Sequence, residues 1–300
     1  MYHLPVLLHP SVDALDIKAG GVYVDVTFGG GGHSREILKR LDGKGKLYGF
    51  DQDVDAHANV PKEFDNFFLV PHNFRYLKKM LRVEGVKQVD GILADLGVSS
   101  HQFDEGERGF SFRADAPLDM RMDTEHGGQD ARDIINTYSA ERLQNILSEF
   151  GEVRNARTLA QAIVAERNKQ AINTTGDLLR LAENYAMVPN KNRYYAQIFQ
   201  ALRMEVNEEM TALKEMLAQS AEILKPGGRL VVISYHSLED RLAKLFIKKG
   251  NFDGADDSDM FGNVNRPLKA VNNKPIEPDA TEIKLNPRAR SAKMRVAVKS

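Results

Sequence analysis

The chain has 300 residues, 42% of them hydrophobic, no cysteine, and 41 basic against 42 acidic side chains, for a formal net charge of −1. That is enough apolar material for one large domain or two modest ones, each with its own core. The missing cysteines exclude disulfides, thiolate nucleophiles and cysteine-ligated zinc, and they fit a reducing cytoplasm. No apolar run approaches the ~20 residues that span a bilayer, and the first ten residues lack a basic region followed by a long apolar core, so the reading is a cytoplasmic, non-exported globular protein.

The first element in chain order is an apolar strand around Val24 that leads into four consecutive glycines, Gly29 to Gly32, and then a helix-compatible run from Ser34 to Leu41. Strand, tight turn and helix in that order open many nucleotide sites, because glycines let a ligand approach the backbone and the first amides of the helix are available to it. Lys46 to Phe50 forms the next strand and ends in Asp51, about twenty residues beyond the glycines, where an acidic residue commonly holds ribose hydroxyls. A third strand is predicted at Phe67 to Val70, a helix at Tyr76 to Val83, and a fourth strand at Val89 to Ala94, ending in Asp95. Strands separated by helices imply a parallel sheet with right-handed crossovers.

From about Ser111 to Leu202 the strand signal stops. Helical periodicity marks Ser139 to Leu147, Arg157 to Val164 and Thr175 to Ala182, with Ser139 and Thr175 as caps. The expectation is an all-helical insertion at 111–202 inside a discontinuous α/β domain made of 1–110 and 203–300. A long helix from Glu205 to Leu224, the stop signal Lys225-Pro226-Gly227-Gly228 and a strand from Arg229 to Ser234 then resume the sheet. A helix from Leu238 to Lys249 follows. Asn251 to Pro287 reads as a long irregular segment, either a lid or a region ordered by a partner, and Ala292 to Val298 as the last strand.

Charge is unevenly spread. Lys284 to Ser300 carries six basic residues and no acid, and residues 151–204 carry eight basic and four acidic side chains. A basic run is usually a solvated face, but it also suits a polyanion.

A dinucleotide dehydrogenase and an S-adenosylmethionine methyltransferase share the glycine turn and the acid on the second strand. Three features favour the methyltransferase: Ser34 stands where the third glycine of G-x-G-x-x-G would fall, a Lys-Pro-Gly-Gly link joins helix to strand at 225–228, and Asp95 ends the fourth strand, where amino-methyltransferases present an acid to an NH2 group. Histidines and carboxylates show no H-E-x-x-H type of spacing, so no catalytic metal is expected.

The resemblance then becomes specific. Asp25 to Ser34, Asp90 to Ser100, Arg108-Gly-Phe-Ser-Phe112, Pro117 to Asp123, Phe199-Gln-Ala-Leu-Arg203, Ser234 to Arg241 and Asn286 to Ser291 occur in that order along nearly the whole chain. Together they resemble the bacterial 16S ribosomal RNA cytosine-N4 methyltransferase family, which acts on a decoding-centre cytosine in the small subunit. The resemblance implies a class I Rossmann-like methyltransferase sheet with an inserted helical domain, and S-adenosylmethionine as cofactor. By position it also implies cofactor contacts at Gly31, Gly32, His33, Asp51, Phe74, Asp95 and Gln102. Asp95 is the expected catalytic residue, with Tyr235 and His236 facing the same crevice. The sequence departs from many amino-methyltransferases in having Asp95-Leu-Gly-Val98 without prolines or a stacking aromatic; Phe110, Phe112 and Tyr235 are the candidates for stacking. Arg288, Arg290 and Arg295, with the helical insertion, are the expected RNA contacts. A degenerate, non-catalytic assembly factor and a DNA amino-methyltransferase are the alternatives, and the expected oligomeric state is a monomer or a homodimer.

Overall fold

The computed structural model describes residues 5–97, 106–186, 190–255 and 266–300. The chain divides into two compact units, one of residues 1–97 and 210–300 and the other of residues 98–209.

The first unit is built on a seven-stranded sheet of order β3-β2-β1-β4-β5-β7-β6. Its strands are β1 (Val22–Asp25), β2 (Lys46–Phe50), β3 (Phe67–Val70), β4 (Val89–Asp95), β5 (Leu224–Ser234), β6 (Leu268–Ala270) and β7 (Lys293–Lys299). β1 to β5 run parallel, while β7 lies antiparallel between β5 and β6. This is the α/β class expected, with strand order reversing between β1 and β4. Ligands of open parallel sheets gather at such a reversal, outside the carboxyl ends of the strands.

Both faces of the sheet are covered, which is why its central strands read as near-continuous apolar runs. On one face Val24, Ile92 and Val232 pack with Leu213 and Met216 of a helix at Glu209–Ile223 and with Phe246 of a helix at Ser237–Lys249. On the other, Tyr23, Leu93 and Val231 pack with Val12 of α1 (Leu8–Ala14) and with Ile37 and Leu38 of α2 (Gly32–Leu41). Adjacent residues of β4 thus serve opposite layers, as strand alternation requires. α3 (Leu77–Val83) adds Leu77 and Leu81 to the first face.

The structure corrects several boundaries. Lys225 to Gly228 is a bulge inside β5, with Val89 paired to Leu224 and Gly91 to Arg229, and not a break before it. Asn251 to Pro287 is not wholly irregular: it contains β6, a backbone bridge between Ile276 and Met294, and a short helix at Ala280–Leu285. Edge pairing to β7 gives this stretch a structural role that its polar composition does not announce.

The second unit is helical, with α4 (Ala131–Thr137), α5 (Ala140–Glu149), α6 (Ala156–Arg167), α7 (Thr175–Glu183) and α8 (Lys191–Val206) around a core that includes Ile135, Leu147, Leu159, Ile163, Leu178, Ile198 and Leu202. The division falls at residues 97 and 209 and not at 110 and 202, because Phe110 belongs to this helical core and α8 runs on to Val206, which packs against it. Thr174, not Thr175, caps α7: its side chain accepts from the Asp177 amide while Asp177 reciprocates. The helix expected over Glu205 to Leu224 is two. Glu208 takes a left-handed φ of 48° between α8 and α9 (Glu209–Ile223), and Asn207 donates to the Met120 and Arg203 carbonyls. Among the described residues no helix is long and apolar enough to cross a membrane.

Leu93 is fully buried in the layer shared with Ile37 and Val231. Leu93→Ala is expected to destabilise the protein by about 2–5 kcal/mol through lost contacts and a residual cavity, measured by urea unfolding.

Candidate active site

The first unit carries the crevice. β1 ends at Asp25, and its buried carboxylate accepts from the Ser34 hydroxyl at 2.7 Å and from the Thr27 amide at 3.1 Å. These bonds fold the glycine turn back onto β1 and fix the first turn of α2. Burial pushes the Asp25 carboxyl above its ordinary range, against the pull of Ser34 and Thr27. Thr27 in turn accepts the Asp95 amide through its hydroxyl at 2.7 Å, tying the end of β1 to the end of β4.

Within the turn, Gly31 has φ 73° and caps α2, and a β-carbon there would come within 2.7 Å of Arg35 and 2.9 Å of the Phe28 ring. Gly32 is held against Pro5, whose Cγ a β-carbon would meet at 2.2 Å. Gly30 has open space around its missing side chain. The turn therefore presents bare backbone, and the first amides of α2 have no partner within the helix.

Asp51 follows β2. Its Oδ2 accepts from the Gly29 amide at 2.8 Å and its Oδ1 from the Asp53 amide at 2.9 Å. Each oxygen keeps a further lone pair for an incoming hydroxyl. Burial raises this carboxyl to about 6, partly offset by the two amides. Phe74 opens a short 3-10 turn after β3 and is half-buried against the sheet core. Its loop is joined to that of Asp51 by Asn73, which donates to Gln52 at 2.8 Å.

Asp95 is the centre of the site. Tyr235, just past β5, donates its hydroxyl to Asp95 Oδ1 at 2.7 Å. His33 Nδ1 lies 3.7 Å from Asp95 Oδ2, beyond hydrogen-bond range, and His33 Nε2 is 3.1 Å from the Val6 carbonyl. With Nε2 carrying the proton and donating to Val6, Nδ1 is left as an acceptor facing a carboxylate oxygen. Two acceptors converging without a donor between them form a receptor for an N–H group. Burial raises Asp95 to about 6, with His33 and Tyr235 pulling it down; burial lowers His33, against the pull of Asp95. Burial and the Asp95 carboxylate push the Tyr235 phenol far above its usual range, so it remains a donor.

The structure therefore brings together the glycine turn, His33, Asp51, Asp95 and Tyr235, with Phe74 on the loop joined to that of Asp51. Gln102 lies outside the described residues. His236 sits at the cap of α10 (Ser237–Lys249) with Nε2 3.1 Å from Glu239, a buried residue that also accepts the Tyr235 amide. Two stacking candidates are corrected, since Phe110 is buried in the helical core and Phe112 packs edge-on against Tyr195 and Phe199; Tyr235 stays at the crevice with its hydroxyl on Asp95. Arg295 is also corrected as an RNA contact. It is buried in β7, and its guanidinium donates to both oxygens of Asp240 at 2.7 and 3.0 Å. Arg288 and Arg290 are exposed. Asp25, Thr27 and Ser34 are the residues that sequence reasoning passed over; a strand-ending acid two residues before a threonine and nine before a helix-opening serine is the signal they offer.

The description of the MraW methylase family matches residues 1–300. The chain belongs to that family. It is 58% identical over 298 residues to the ribosomal RNA small subunit methyltransferase H of Cytophaga hutchinsonii, covering 99% of each chain. It is 55% identical over 299 residues to the protein of the same name from Parabacteroides distasonis, covering 99% of this chain and 97% of the relative. A solved rRNA methylase from Streptococcus thermophilus is 12% identical, with 99% of each chain covered and a TM-score of 0.42.

In this MraW-family chain, Thr27→Val removes the acceptor of the Asp95 amide while keeping the shape. Leaving that donor without a partner is expected to cost about 1–3 kcal/mol, read as a lower urea midpoint, whereas an unchanged midpoint would count against the Thr27 link.

Proposed function

We propose that the chain is an S-adenosylmethionine-dependent methyltransferase acting on N4 of a cytosine in the decoding centre of 16S rRNA within the small ribosomal subunit, in the cytoplasm. The observation that carries this reading is the pair of acceptors, Asp95 Oδ2 and His33 Nδ1, converging 3.7 Å apart at the end of β4 beside the bare glycine turn. Family membership and the names of the relatives support the substrate class.

The donor set fits the cofactor. Gly31 and Gly32 bring bare backbone to the start of α2, the open space beside Gly30 leaves room for the methionyl end, and the half-buried ring of Phe74 suits a flat base. Asp51 has lone pairs for the ribose hydroxyls, and the Asp95–His33 pair is left for the amine of the acceptor base. When bound, S-adenosylmethionine supplies a methyl group activated by a positive sulfur. The protein's own work is placement and charge. Cytosine N4 is a poor nucleophile because its lone pair is shared with the ring. An N4–H donated to Asp95 would help localise that pair and stabilise the positive charge that grows on nitrogen as its bond to the methyl carbon replaces that carbon's bond to sulfur, an effect of a few kcal/mol in a preorganised site. Tyr235 holds the other carboxylate oxygen. Reaching the base requires splaying it out of its stack, a cost of a few kcal/mol that backbone contacts offset. Exposed Arg288 and Arg290, with the helical unit, are assigned to those phosphates.

The deciding experiment incubates the protein and labelled cofactor with small subunits, naked 16S RNA or DNA, followed by nucleoside analysis. N4-methylcytidine in the ribosomal RNA is expected; label appearing only in DNA contradicts the reading. Asp95→Asn is expected to lower turnover by about 100-fold or more while changing cofactor affinity less, as loss of one preorganised electrostatic group does.

Cofactor affinity should also depend on pH. Asp51 accepts hydroxyls best as the anion, and its carboxyl titrates at about 6. Affinity is therefore expected to be flat above pH 7 and to weaken about tenfold on going from pH 7 to 5 as the anion is lost. Calorimetry across that range checks it: Asp51→Asn should bind weakly at every pH with a shallower profile, and a wild-type affinity that does not change contradicts the ribose assignment.

A further inference from the structure

Leu7 takes a left-handed conformation, with φ 53° and ψ 35°, immediately before α1. A leucine pays for that geometry sterically, so its surroundings must hold it there. Its amide donates to Glu282 Oε1 at 2.6 Å, across 275 positions of sequence. Glu282 lies on the short helix at Ala280–Leu285, directly before Arg288 and Arg290. The carbonyl of the preceding residue, Val6, accepts from His33 Nε2 at 3.1 Å, and Pro5 packs over Gly32. Val6 and Leu7 are 6% and 3% exposed and share a core cluster with Ala289, Ala292 and Met294 of the C-terminal segment. The three-residue strap is thus closed on the glycine turn from one side and gripped by the C-terminal segment from the other.

The consequence concerns a proton. A neutral imidazole carries its hydrogen on one nitrogen, and the partner of the other nitrogen decides which. The Val6 carbonyl selects Nε2–H and so makes Nδ1 an acceptor, which faces Asp95. The position of that carbonyl follows from the conformation of Leu7, and Leu7 is held by a charge-assisted bond to Glu282.

We propose that Glu282 is a positioning residue for the reaction at Asp95, acting through the Leu7 amide and the Val6 carbonyl to fix the His33 tautomer. The proposal rests on the reading of Asp95 as the group that meets the acceptor amine. It links the segment assigned to RNA phosphates with the crevice assigned to the cofactor.

The test uses the full chain labelled with 15N-histidine, in which long-range 15N–1H spectra report which ring nitrogen carries the proton. The wild type and Glu282→Gln, which keeps an acceptor oxygen, are expected to show His33 with Nε2–H. Glu282→Ala is expected to show a mixture of tautomers. On small subunits Glu282→Ala should lower kcat by about tenfold to a hundredfold, the range that a misplaced positioning group commands, with a smaller change in cofactor KM and a displaced acidic limb of the pH profile. Glu282→Gln should restore most of the rate. A Glu282→Ala protein with the wild-type tautomer and kcat overturns the proposal. So does a Glu282→Gln protein as impaired as Glu282→Ala, or a loss of rate in Glu282→Ala that matches its unfolded fraction. Should the wild type fail to methylate small subunits, the functional reading fails, while the tautomer spectra still decide whether Glu282 sets His33.

Discussion

Everything in the crevice is hung on the buried carboxylate of Asp25. By accepting from Ser34 and Thr27 it fixes the direction in which the glycine turn leaves β1, and through the Thr27 hydroxyl it sets the height of Asp95 on β4. A hydrogen bond to a charged group contributes about 1.5–3 kcal/mol, while removing an anion from water costs several. The arrangement is therefore poor value as a source of stability and good value as a source of position. Chain ends that are tied by charge-assisted bonds keep their amides and carboxylates aimed when a ligand arrives.

The same accounting distinguishes the ligand class. Asp25, Asp51 and Asp95 lie at the ends of neighbouring strands, and burial raises the carboxyl of each. Asp25 adds further repulsion to both Asp51 and Asp95. A site with that charge repels a pyrophosphate and welcomes a ligand bearing a sulfonium and an ammonium, each of which relieves the repulsion it enters. The glycine turn is then best understood as bare backbone beside an amino-acid end. Its resemblance to a phosphate cradle is one of shape and not of charge.

How far the sequence anticipates this depends on the distance over which each feature is determined. The sheet is legible because apolar runs, Gly-rich turns and strand-ending acids are local: Asp51 and Asp95 fall at strand ends, and the spans of β2, β3, β4 and β7 agree within a residue, whereas β5 begins five residues earlier than expected. The caps are legible to within one position, since Thr174 and Thr175 offer the same hydroxyl and only the backbone geometry separates them. What escapes is set by partners remote in the chain. Arg295 reads as a free basic residue until Asp240, 55 positions away, accepts from its Nε and Nη2. Phe110 and Phe112 read as available rings until the helical core claims them. Val6, 27 positions from His33, and Glu282, 275 positions from Leu7, leave no local trace at all. β6 is lost for a related reason: three residues at a sheet edge carry too little pattern to stand out from the polar stretch around them.

The central claim is that the β1, β2 and β4 ends form a single receptor for S-adenosylmethionine. A crystal structure of the protein with S-adenosylhomocysteine tests it most directly. The account predicts ribose hydroxyls on Asp51, the amino-acid end against Gly31 and Gly32, and the Asp95–His33 pair left open for the acceptor amine. A molecule bound with its ribose away from Asp51, or outside this crevice altogether, would contradict it.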